Sequence, residues 1–367
     1  MNKTAEIAIV GDLALHYGPQ KCDKDILDCL GSMSFVIACL EAPICSYGTG
    51  PKYKKRTVFR IDPSQAEKLK KYNLKVVSCA NNHIMDFGER GIAETLTILN
   101  KIDISPIGLK TPSTNHTFVD LKEPFKMRIA AGMGKGLSIG SFYISSIKDV
   151  ANALKKAPED VLRIAYLHGG TEYVSFPDPH QFRETLHLLR ECRADIICWS
   201  HSHAPAPFTV KGGVFIAWGL GNWDLTSPEN RQRNVSRRAL ALTISRMETI
   251  GLNNLLTAFE RRILPDGNKD VLHKSTYEWS QRIISNISCE EIAEIHKKWA
   301  EIDACVWLPQ TCAAIKWRIQ KYGYRTVVKD LIKIILSGRW WKALYKINFD
   351  RMNEACAEWD GFKKSLR

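Results

Sequence analysis

Six residues of this 367-residue chain stand at or just past the ends of short apolar runs and carry side chains of the kinds that hold divalent metal ions: Asp12, Glu41, Asn82, His168, His201 and His203. Carboxylate, amide oxygen and imidazole together suit Zn, Mn, Fe or Co, and a shared carboxylate can bridge two ions about 3.5–4 Å apart. His201 and His203 are one residue apart, so a strand end or the loop after it can present two imidazoles side by side, one to each ion. Such a pair is a weak motif alone. Its weight comes from the four other donors that share its placement.

That placement is a layout repeated five times. Short apolar, β-branched runs at 7–10, 35–40, 76–80, 164–167 and 196–199 stop at Gly11-Asp12, Glu41, Asn81-Asn82-His83, His168-Gly169-Gly170 and Ser200-His201-Ser202-His203. Near-continuous apolar strands imply sheets covered on both faces, joined through helices. In open α/β sheets ligands bind at the carboxyl ends of strands, so the layout predicts one polar edge. Helices are predicted at 179–191, with Asp178 as N-cap and Phe182, Leu186 and Leu189 facing inward, and at about 90–101. Segments 239–244 and 255–263 read as a closing pair of strands.

With 45% hydrophobic and 25% charged residues the composition is that of a globular protein, not a disordered or collagen-like one. The length exceeds the roughly 250–300 residues that one core usually serves. A boundary is expected at Pro265-Asp266-Gly267-Asn268, dividing a main domain, 1–268, from a basic, mostly helical extension, 269–367, that holds seven of the ten tryptophans. Net charge is +13, and residues 311–367 alone hold 13 Lys or Arg against five Asp or Glu. Segment 327–336 with Arg339-Trp340-Trp341-Lys342 reads either as an interfacial helix at a membrane surface or as a helix packed on the main domain. No helix-turn-helix, zinc-finger or RNA-binding signature accompanies the charge, so no nucleic-acid partner is expected. The 11 cysteines form no Cys-x-x-Cys pair, and no apolar run approaches the roughly 20 residues of a membrane span. The expectation is a cytoplasmic protein, peripheral at most to the inner membrane face.

Four segments together resemble the CapA family of capsule and poly-γ-glutamate synthesis proteins, a bacterial branch of the calcineurin-like metallophosphoesterase superfamily. They are Val10-Gly11-Asp12; Leu40-Glu41-Ala42-Pro43-Ile44; 76–88 with its Asn81-Asn82-His83 and Asp86-Phe87-Gly88; and the stretch from His168 to Gly219-Leu220-Gly221-Asn222. The resemblance implies a metallophosphoesterase-like two-sheet sandwich flanked by helices, followed here by the helical extension. It implies two divalent ions, with Asp12 and His203 on the first, Asn82, His168 and His201 on the second, and Glu41 bridging where the superfamily has Asp. His83 would protonate the leaving group or stabilise the transition state, and Asp86 would fix the loop around it. The superfamily's Asp-x-His motif is missing its histidine, because Asp12-Leu13-Ala14 ends in alanine; the first ion is therefore expected to be the weaker.

Other residues have two readings. Glu172, four residues after His168, is a second acid/base or substrate contact, or else a structural ion pair. Asn222 binds substrate near the metals, or else caps a turn. Lys54, Lys55 and Arg56 hold an anionic substrate, or else form a solvated loop. His180 and His187 fall on a helix as surface or packing residues. The expected activity is a phosphoester hydrolase in capsule or cell-surface polymer synthesis, with an anionic polymer or phosphorylated glycan precursor as partner. The alternatives are a non-catalytic, polymer-binding assembly protein and a γ-glutamyl amide hydrolase or transferase.

Overall fold

The computed structural model describes residues 6–15, 24–46, 58–225 apart from 112, 174–176 and 207, and then 238–245, 256–263 and 270–274. The chain runs β1 (Glu6–Leu13), α1 (Lys24–Ser32), β2 (Phe35–Leu40), a 3-10 turn (Pro63–Gln65), α2 (Lys68–Lys71), β3 (Leu74–Ser78), α3 (Gly88–Lys101) and β4 (Ser105–Ile107). Six strands follow: β5 (Leu109–Lys110), β6 (Asn115–His116), β7 (Phe118–Leu121), β8 (Met127–Gly132), β9 (Leu137–Ile139) and β10 (Phe142–Ile144). Next come α4 (Ile147–Lys155), β11 (Leu162–His168), α5 (Pro179–Glu191), β12 (Ile196–Ser200), β13 (Phe208–Lys211), β14 (Val214–Ala217) and β15 (Asn222–Asp224). Strands β16 (Arg238–Ser245), β17 (Leu256–Ile263) and β18 (Asp270–Lys274) close the described chain.

These strands make a mixed α/β architecture of several sheets flanked by helices. An eight-stranded sheet runs β18-β17-β16-β1-β2-β3-β4 with β15 added beside β1, and a six-stranded sheet runs β13-β14-β12-β11-β8-β7. In both, the strands that lead to the polar edge, β1-β2-β3 and β11-β12, are parallel. The period-2 alternation of a strand explains why both faces of the second sheet are apolar. Ile164, Tyr166, Ile196 and Cys198 join the core shared with the first sheet, while Ala165, Leu167, Ile197 and Trp199 join a second core that also takes residues of α4 and α5. Each fully buried Ile or Leu among them contributes about 1.5–3 kcal/mol. The Tyr166 hydroxyl crosses between the sheets and donates to the Val10 carbonyl at 2.6 Å.

Helix α5 begins as its sequence predicts. Asp178 and Gln181 form a reciprocal capping box around Pro179 in the first turn, and Phe182 and Leu186 are buried. The closing strands β16 and β17 pair antiparallel. A third, four-stranded sheet, β6-β5-β10-β9, has no counterpart in the sequence reading, because strands of two or three residues are too short to carry a periodic signal. Strand β18 pairs with β17 just past the expected boundary at 268, so the sheet continues to Lys274. The rest of the extension and the basic residues Lys54, Lys55 and Arg56 lie outside the described residues. Among the described residues there is no disulfide, and no helix is long and apolar enough to cross a membrane.

Candidate metal centre

The polar edge forms where the two sheets meet. The first sheet delivers Asp12 near the end of β1, Glu41 just after β2, and Asn82 and His83 in the loop after β3. The second delivers His168 as the last residue of β11, and His201 and His203 just after β12. Local backbone chemistry fixes each one. Strand β15 runs beside β1 with Asn222 opposite Asp12, and the Asp12 N–H donates to the Gly221 carbonyl at 2.9 Å. Only glycine fits before Asp12, since a Cβ on Gly11 would lie 1.9 Å from that carbonyl oxygen. The Asn81 side chain accepts the N–H groups of His83 at 3.0 Å and Ile84 at 2.9 Å and donates to Leu40 O at 2.8 Å, which ties the third loop to the second strand. His201 and His203 have φ of 97° and 54°. Left-handed backbone at such residues costs about 1–3 kcal/mol each and persists where the surroundings enforce it. Part of that enforcement is a hydrogen bond from the His201 N–H to Asp12 Oδ2 at 3.0 Å.

Glu41 stands between two groups of donors. Its Oε1 lies 3.6 Å from His168 Nε2 and 4.0 Å from His201 Nδ1. Its Oε2 lies 3.7 Å from His203 Nδ1, which is also 3.5 Å from Asp12 Oδ2. An amide oxygen completes each group, Asn82 Oδ1 at 2.9 Å from His168 Nε2 and Asn222 Oδ1 at 2.9 Å from His203 Nδ1. His83 stands apart from both. Its Nδ1 is 2.7 Å from Asp86 Oδ2, the same oxygen accepts the Phe59 N–H at 2.9 Å, and the Phe59 ring lies against the imidazole with centroids 4.3 Å apart.

Burial first, then the charge of Asp12, holds the Glu41 carboxyl well above the ordinary carboxylate range. Burial, helped by the neighbouring imidazoles, holds His168 well below its ordinary value and also lowers His201. Burial acts the same way on His203, but the Glu41 and Asp12 carboxylates outweigh it and push this imidazole up to about 10.

These residues fit divalent cations. Asp12 Oδ1, both oxygens of Glu41 and Nδ1 of His201 are buried and have no hydrogen-bond partner among the described residues. Leaving buried carboxylate oxygens unpaired costs several kcal/mol unless a positive charge meets them. Both carboxylates are fully buried, and the partners that face them are imidazoles, the usual co-ligands of Zn, Mn and Fe.

Two neighbours escaped the sequence reading. Cys39 is the residue of β2 opposite Asp12, and its Sγ lies 3.6 Å from His168 Nδ1, a nitrogen that also contacts Ser200 Oγ at 3.0 Å. Its position two residues before Glu41, on the same strand face, was the available signal. Burial, then Asp12 and Glu41, push this thiol well above its ordinary value. Tyr173, in a left-handed turn with φ of 65°, places its ring 5.7 Å from that of His203. The adjacent Glu172 is exposed and acts on His203 through its charge. His180 is exposed on α5, 3.5 Å from Glu184.

The sequence profile described as "Bacterial capsule synthesis protein PGA_cap" matches residues 4–224, which include every residue of this centre. The chain belongs to that family. Among its curated relatives, the PGA biosynthesis protein CapA of Bacillus subtilis (strain 168) is 24% identical over 220 residues, covering 54% of this chain and 55% of the relative. The capsule biosynthesis protein CapA of Bacillus anthracis is 20% identical over 252 residues, covering 60% of each chain. The chain thus spans little more than half the length of these relatives. A solved structure described as a novel phosphatase from Mycoplasma pneumoniae is 15% identical, with a TM-score of 0.42, and covers 75% of this chain and 94% of that one.

Proposed function

We propose that this capsule synthesis family member is a metal-dependent hydrolase of the metallophosphoesterase type, cleaving a phosphoester in the assembly of poly-γ-glutamate or a polysaccharide at the cell surface. The observation that carries the reading is the pair of fully buried carboxylates, Asp12 and Glu41, with three oxygens lacking partners and three imidazoles of the opposite sheet facing them. Asp12, Glu41, Asn82, His168, His201 and His203 would hold two ions, Mn, Fe or Zn, which supply Lewis acidity and a water acidic enough to attack at neutral pH.

The chain's own groups do the remaining work. Asp86 engages His83 Nδ1, which fixes the ring and assigns Nε2 to the leaving oxygen of the substrate as proton donor. The Phe59 ring covers one face of that imidazole and keeps it from rotating. Lys54, Lys55 and Arg56 supply positive charge suited to an anionic polymer or a phosphorylated glycan precursor. The basic extension carries further positive charge, and the proposed place of action is the cytoplasm.

The test is elemental analysis of the purified full chain, followed by a screen of phosphomonoesters and phosphodiesters. Two equivalents of metal are expected, together with phosphoester cleavage that falls about 10²–10⁴-fold in His83→Ala while the metal stays bound. Protein that takes up no ion even when supplied with Mn, Fe and Zn would overturn the reading in favour of a polymer-binding assembly protein. A metal-loaded protein that cleaves γ-glutamyl amides and no phosphoester would transfer the same residues to amide hydrolysis.

A further inference from the structure

The two groups of donors around Glu41 are not equally furnished by the sequence motifs. The Glu41 Oε1 side receives Asn82, His168 and His201, whereas the Oε2 side receives Asp12 and His203 only, since the Asp-x-His position is the buried Ala14. We propose that Asn222 is itself a metal ligand, supplying through its amide oxygen the donor that position 14 lacks. This assignment rests on the metal reading of the centre and adds a residue to it.

Three observations support it. Asn222 is fully buried, and its Oδ1 lies 2.9 Å from His203 Nδ1, the atom that faces Asp12 Oδ2 and Glu41 Oε2. This repeats the relation between Asn82 Oδ1 and His168 Nε2 on the other side, also 2.9 Å, so near each oxygen of Glu41 an imidazole is paired with an amide oxygen. The backbone is built to hold Asn222 there. Strand β15 is pressed against β1 so closely that residue 11 must lack a Cβ, residue 221 turns with φ of 72°, and the N–H groups of Ala14 and Leu15 donate to Asp224 O at 2.9 and 3.3 Å. Ala14 therefore serves as a backbone clamp for the strand carrying the substitute donor. Amide oxygen is a hard neutral ligand, so it completes the coordination of an ion already facing two carboxylates without adding a third negative charge.

The test compares wild type, Asn222→Leu and Asn222→Asp as full chains, by counting bound Mn or Zn and by recording the visible spectrum after loading with Co(II). Two equivalents are expected in wild type, one in Asn222→Leu, and two in Asn222→Asp with a cobalt spectrum shifted by the new carboxylate and affinity for the second ion raised about ten-fold or more. Two equivalents of unchanged affinity in Asn222→Leu would show that Asn222 only orients His203, and would overturn the assignment while leaving the hydrolase reading intact. Wild type without any ion overturns both. If Asn222→Leu does not fold, Asn222→Asp decides: an unmoved cobalt spectrum and affinity overturn the assignment, and a shifted one supports it.

Discussion

On the Oε1 side of Glu41, His168 and His201, their ring centroids 4.7 Å apart, are both lowered by burial first and then by neighbouring imidazoles. On the Oε2 side, His203 is equally buried but faces Asp12 at 3.5 Å and Glu41 at 3.7 Å, and those carboxylates hold it protonated. The same residue type therefore takes opposite charge according to whether burial and neighbouring imidazoles prevail, as at His168, or the adjoining carboxylates do, as at His203. In the metal-free protein the first group consists of ready neutral ligands, whereas in the second a proton stands where a cation would. The second group must also release that proton to take up an ion, so its occupancy is the more dependent on pH.

The change that should break this comparison most completely is Gly11→Ala. Its Cβ would strike the Gly221 carbonyl, which is backbone and cannot swing aside, so β15 and Asn222 must leave Asp12. The expected cost is about 3 kcal/mol or more in stability, measured by denaturant unfolding. Gly169→Ala, beside His168 in the other group, meets only the Trp199 side chain at 3.2 Å and should cost about 1 kcal/mol or less. Equal costs would show that the tight approach of β15 is not what builds the second group.

Next in size are the single-imidazole losses. His168→Ala and His203→Ala should each give up one equivalent of metal, weakening its binding beyond the about 10–100-fold that loss of an outer partner causes, and each should keep the other ion. Elemental analysis and competition with a chelator read this directly. Simultaneous loss of both ions in either variant would mean that Glu41 couples the groups into one site.

A smaller effect sharpens the charge difference. With chelator present, His203 and Glu41, which bind protons more tightly folded than unfolded, contribute stability that is lost as pH rises, for His203 between about 6.5 and about 10. His168 and His201 are shifted the other way, so their contribution is present above about 6.5 and lost as pH falls through their lowered folded values. Calorimetry should find a thermal midpoint that declines on both sides of neutrality. A midpoint that rises steadily from neutral into alkaline pH would contradict the protonated state of His203.

The smallest expected effect belongs to Cys39→Ser. A hydroxyl can keep the contact with His168 Nδ1, so both ions should stay bound and stability should change by about 1 kcal/mol. Loss of one equivalent would instead make Cys39 a ligand.

Much of the centre was legible in the chain because its donors are strand-end residues, and strand ends follow from apolar runs that stop abruptly. Asp12, Glu41, Asn82, His168, His201 and His203 could be picked out that way, and so could the capped helix α5. Residues whose role depends on a neighbour from elsewhere in the chain could not. Cys39 looks like any buried strand residue until β1 sets Asp12 beside it and β11 brings His168 over it. Ala14 looks like a lost ligand until β15 is seen bonded to it.

Local pattern along the chain was enough for the inventory: which side chains could bind metal, which strands carry them, and that they share one edge, since these depend on periodicity and on positions along single strands. Only the tertiary structure decided how the inventory divides. Which oxygen of Glu41 faces which imidazole, why His203 is charged while His168 is not, and that Asn222 joins Asp12 all depend on distances between side chains 127 to 210 positions apart in sequence. Charge, unlike strand formation, is set by what stands within a few ångström in space, and a linear pattern does not contain that distance.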